Sequence, residues 1–76
     1  MKTIRVAVHL VDGGLREWTE GTELLEKLRS LQSEGFVGKE LIHELFTDDW
    51  GVPPLSIEIS GKASDGRNVS VVIPYT

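Results

Sequence analysis

From Leu55 to Thr76 the chain runs in two stretches of alternating apolar and polar residues, and Ser64-Asp65-Gly66 separates them. Leu55, Ile57 and Ile59 alternate with Ser56, Glu58 and Ser60, and Val69, Val71 and Ile73 continue the pattern beyond the break. A period of two sends one set of side chains to one face of a strand, so this stretch must fold back as a β-hairpin. Loop length decides the register. A two-residue Asp65-Gly66 turn sets Glu58 against Ile73 and Ser60 against Val71, which mixes the faces. A three-residue Ser64-Asp65-Gly66 loop pairs Leu55 with Tyr75, Ile57 with Ile73 and Ile59 with Val71. It also leaves Gly66 at the left-handed position of a type I turn plus bulge. The longer loop is the expectation.

The N-terminal segment Thr3 to Val11 alternates in the same way, with Ile4, Val6, Val8 and Leu10 on one face and Arg5, Ala7, His9 and Val11 on the other. Asp12-Gly13-Gly14 ends it. Leu24, Leu25, Leu28 and Leu31 then recur at helical spacing, which predicts a first helix from Thr19 or Thr22 to about Ser33. Glu20 and Glu23 suit its positive end, and Gly35 suits its stop. A second helix is expected over about Gly38 to Thr47, with Leu41, Ile42, Leu45 and Phe46 inward and Phe36 and Val37 packed beneath its entry. Gly51 and Pro53-Pro54 break it and force an extended approach to the hairpin. The order β-α-α-β-β makes a two-layer α+β domain in which two helices cover one face of a three-stranded sheet. The sequence leaves open which strand is central.

Seventy-six residues without cysteine are expected to form one domain, residues 1–76, near the lower limit for a single unstapled core. That smallness favours a homodimer or a partner that buries further surface. A reducing, cytoplasmic setting is the expectation for such a chain, and no apolar run is long enough to span a membrane. The net charge of −4 is unevenly spread. Residues 1–16 sum to +2, residues 17–50 to −6, and the rest balance. An acidic middle third disfavours phosphate backbones and favours basic partners. The open sheet face is expected to carry no aromatic residue, which disfavours RNA binding by base stacking.

The densest polar cluster lies on and after the second helix. Glu40, His43 and Glu44 stand at i, i+3 and i+4, on one helical face, where they could converge on a divalent metal. The same spacing also arises on any solvated face opposite Leu41, Ile42 and Leu45. Asp48 and Asp49 oppose the dipole of a helix C-terminus. They read either as an acidic recognition point beside Trp50 or as turn residues that cap through their side chains. Trp18 and Trp50 read as anchors for a partner or as plugs at the helix–sheet seam. Phosphate-loop, nucleophile-elbow, zinc-helix and calcium-loop motifs are missing, and the residues carry no family resemblance.

The sequence therefore predicts an interaction module that binds another protein or itself through an acidic helical layer, without catalysis or a cofactor. Trp50, Asp48, Asp49, Trp18 and Glu40 are its contact residues. The alternative is a metal- or small-ligand-binding protein that uses Glu40, His43 and Glu44.

Overall fold

The computed structural model of the protein describes residues 3–47, 50–63 and 65–76. It is an α+β fold in the order β1 (Thr3–Leu10), β2 (Leu15–Gly21), α1 (Glu23–Ser33), α2 (Gly38–Leu45), β3 (Pro54–Lys62) and β4 (Asn68–Pro74). The four strands form one antiparallel sheet ordered β2-β1-β3-β4. The sheet thus has a strand more than the three expected. Residues 15–21 pair with β1 instead, which removes Thr19 as a helix start and leaves Thr22, the other candidate. Thr19 lies opposite Arg5 in that ladder, and α1 begins after Thr22.

The physical reason is the turn. The Leu10 amide donates to the Gly14 carbonyl (2.8 Å), and the Gly13 amide donates to the Leu10 carbonyl (3.0 Å). Gly13 has φ +89°, which a side-chain-bearing residue seldom adopts. The Gly14 amide also donates to Asp12 Oδ1 (2.9 Å). These bonds reverse the chain and return it along β1.

The C-terminal hairpin has the expected register. Ile57 pairs with Ile73 and Ile59 with Val71, and the Tyr75 amide donates to the Leu55 carbonyl at 3.0 Å. Ala63 and Arg67 close the turn by a 2.9 Å backbone bond, and Gly66 has φ +87°. Ser64 lies outside the described residues. β3 pairs with β1 as well, so β1 and β3 are the central strands, which the sequence had left open.

α1 ends in a Schellman arrangement. The Gly35 amide donates to the Gln32 carbonyl and the Phe36 amide to the Leu31 carbonyl, both at 3.1 Å. α2 stops at Leu45, short of the expected Thr47, because Phe46 is already extended at φ −129°. Leu24, Leu25 and Leu28 of α1 and Leu41, Ile42 and Leu45 of α2 close over Ile4, Val6, Val8, Leu10, Ile57, Ile59 and Ile73. The result is one core between helices and sheet. Phe36 packs against it, but Val37 is 71% exposed and not tucked beneath the helix. No helix among the described residues is long and apolar enough to cross a membrane.

Among the described residues no helix covers the opposite sheet face. Two diagonal pairs cross it: Arg5 with Glu17, and His9 Nε2 with Glu58 Oε2 at 3.6 Å. Arg5 thus finds its acid on β2, and Glu58 lies nearer His9. Ala7, the small residue between the two pairs, is only 8% exposed. The acidity is also less helical than expected. Glu17 and Glu20 belong to β2, while within α1 Glu23 and Glu26 are matched by Lys27 and Arg29.

Candidate functional site

Trp18 and Trp50 are 32 positions apart, yet both lean on Phe46. Trp18 faces the helical layer because its ladder partner is Val6, whose side chain is in the core. Its ring meets Phe46 edge to face, with centroids 5.7 Å apart and planes at 89°. Its indole N–H donates to Glu20 Oε2 at 2.7 Å, two residues along the same face of β2. Trp50 also meets Phe46, with centroids at 6.4 Å and planes at 62°. Edge-to-face geometry is the favoured one for such quadrupoles. Phe46 is buried, and both tryptophans are half-buried and so remain partly open to the surface.

From Trp50 the aromatic surface continues. Trp50, Gly51, Val52, Pro53, Pro54, His43 and Tyr75 line a shallow groove of about 220 Å³. Across it, His43 Nε2 and Tyr75 Oη are 2.6 Å apart, and their rings meet edge to face at 5.4 Å. Lys39 Nζ lies 5.8 Å from the Tyr75 ring centroid, within the range of a cation–π contact. His43 also lines the neighbouring groove with Phe36, Glu40 and Glu44. The two grooves therefore share a wall.

Of the expected contact residues, Trp18 and Trp50 are brought to one aromatic cluster, and Glu40 lines the adjoining groove. Asp48 and Asp49 lie outside the described residues. Glu40, His43 and Glu44 share a groove, but among the described residues no group of three or more His, Asp or Glu side chains is placed to hold a metal ion. The His43 ring is instead engaged by Tyr75. Sequence reasoning did not select Tyr75 or Lys39. A ring that reaches His43 from 32 residues away leaves no local periodicity to find.

Compared with known proteins, the chain matches no family model, no curated protein and no solved structure.

Proposed function

We propose that the protein is a small binding module without catalysis of its own, and that its contact surface is the aromatic band running from Trp18 through Phe46 and Trp50 to Tyr75. The observation that carries this reading is the convergence of two half-buried tryptophans on one phenylalanine, beside a groove walled by Pro53 and Pro54. Half-buried aromatics held rigid by their neighbours are the side chains that dominate binding energy at interfaces. Glu20 bonds to Trp18, Glu40 and Glu44 line the adjoining groove, and Asp48-Asp49 precedes Trp50 in sequence. Such a surface suits a protein partner that presents apolar and basic side chains. The setting we assign is cytoplasmic, from a chain without cysteine.

The test is affinity capture at native expression level, with the Trp50→Ala variant run beside the native sequence. A stoichiometric partner lost with Trp50→Ala, and whose association slows as salt is raised, is the expected result. A partner retained undiminished by Trp50→Ala and by Trp18→Ala would remove the band from the interface. A second reading, a divalent-ion site on Glu40, His43 and Glu44, has their shared groove in its favour. A real site raises the thermal midpoint by mass action, so a melt with zinc, manganese and iron(II) that shows no shift would end it.

A further inference from the structure

The two free edges of the sheet are built differently. β2 is an edge strand that carries Arg16, Glu17 and Glu20. Such charges keep an exposed edge from pairing with another chain. β4 is the other edge, and from Asn68 to Thr76 the sequence contains no Asp, Glu, Lys or Arg, the longest such run in the chain.

The hydrogen bonds fix which amides are free to pair. Tyr75 bonds to Leu55 and Arg67 to Ala63, so in the β3–β4 register the odd-numbered residues of β4 turn inward to β3. By the alternation of an antiparallel ladder, Asn68, Ser70 and Val72 turn their N–H and C=O groups outward. Pro74 carries no N–H and comes only at the strand's end.

Apolar side chains flank that row on both sides. Val72 is 62% exposed on the helix-free face. On the helical face Val69 and Val71 are only half-buried, beside a groove of about 310 Å³ whose lining includes Val37, Leu41, Val71 and Ile73.

We infer that β4 pairs antiparallel with β4 of a second copy of this chain, across a two-fold axis, to make a continuous eight-stranded sheet. The occupant is a copy because the edge is self-complementary. Centring the axis on Ser70 pairs Ser70 with Ser70 and Asn68 with Val72; centring it on Val71 pairs Ser70 with Val72 and Asn68 with Pro74. Either register gives all three outward amides of each copy an acceptor. Both put Val69 and Val71 of one copy against aliphatic side chains of the other, at the mouth of the groove. With a net charge of −4 on each copy, the uncharged edge is also where two copies meet with least repulsion. This surface is separate from the aromatic band.

Sedimentation of the full chain between 1 and 500 µM, with amide hydrogen exchange at both ends of that range, tests the inference. The expected result is a mass that rises from one chain to two, with exchange at Asn68, Ser70 and Val72 slowing at least tenfold as concentration rises. Val72→Lys adds a charge at an already exposed position, and Ser70→Pro removes an outward amide that β3 does not use. Both variants should keep the native circular dichroism and sediment as monomers at 500 µM. A native chain that stays monomeric throughout would overturn the inference. So would a dimer that survives both variants, or one abolished by Trp50→Ala and untouched by Val72→Lys.

Discussion

Gly38 opens α2 in the left-handed region, at φ +54°, and a β-carbon built on it would strike the carbonyl oxygen of Thr76 and lie 3.1 Å from the carbonyl carbon. Gly35 is also left-handed, at φ +96°, but a β-carbon there would meet nothing within 4 Å. The pair separates two costs. Gly35→Ala meets only the backbone cost, about 1–2 kcal/mol, partly offset by the lower entropy of the unfolded chain, about 0.4–1 kcal/mol. The expected loss is therefore about 1 kcal/mol. Gly38→Ala meets the same cost and must also displace the backbone after β4, for which overpacking values of about 1–3 kcal/mol apply. Its expected loss is about 2–4 kcal/mol.

Against a total of about 4–11 kcal/mol for 76 residues at typical per-residue stability, Gly38→Ala leaves a marginal protein. Urea unfolding followed by tryptophan fluorescence measures all three, and the midpoint should fall in the order native, Gly35→Ala, Gly38→Ala. Deleting Thr76 in the Gly38→Ala background removes the struck atom and should return about half of the loss. Equal losses at the two glycines, or no recovery on deletion, would show that the close approach of α2 to the chain after β4 carries no energy.

Two further outcomes follow from the core and the aromatic cluster. Ile42 is 0% exposed where α2 meets the sheet, so Ile42→Ala should cost about 2–5 kcal/mol in urea unfolding; a loss below about 1 kcal/mol would mean the helix does not seal the core. Trp18→Phe keeps the ring against Phe46 but gives up the indole bond to Glu20. It should cost about 1–2 kcal/mol, because bonds to charged acceptors fall at about 1.5–3 kcal/mol and this one is only part-buried. In a Glu20→Ala background the same change should cost at least about 0.5 kcal/mol less, and a coupling near zero would refute the bond's role.

What the sequence made legible and what it hid have physical causes. β1 and the β3–β4 hairpin alternate cleanly because one face of each is covered by helices, which forces apolar residues onto every second position. β2 escapes that rule. Its helix-side residues are Arg16, Trp18 and Glu20 and its other face carries Leu15, Glu17 and Thr19. An edge strand that reaches past most of the helical cover needs only Trp18 to bury, so no apolar stripe betrays it. A signal was nevertheless present. Val11-Asp12-Gly13 repeats the chemistry of Ser64-Asp65-Gly66, the triplet that identified the C-terminal hairpin. In both turns the aspartate accepts a bond from the amide two residues on, Asp12 from Gly14 at 2.9 Å and Asp65 from Arg67 at 3.0 Å. In both, the glycine sits near φ +88°. The aromatic cluster was half legible: the tryptophans stood out as types, but their meeting at Phe46 depends on β2 lying beside β1.

The matched turns make the sheet nearly symmetric about the β1–β3 pair, with each hairpin offering its second strand as an edge. The side chains break that symmetry where it has consequences. Two equally open edges would let copies add at both ends and grow a sheet without limit. Arg16, Glu17 and Glu20 on β2, with Glu17 already paired to Arg5, make that edge a poor template. The uncharged β4 is left as the single edge able to pair. One adhesive edge per chain closes after two copies, so the pairing inferred for β4 would end at a dimer and would not grow into a fibre. The symmetry of the turns and the asymmetry of the edges thus answer different demands: the turns set the strand pairing within the chain, and the edges limit how far that pairing extends.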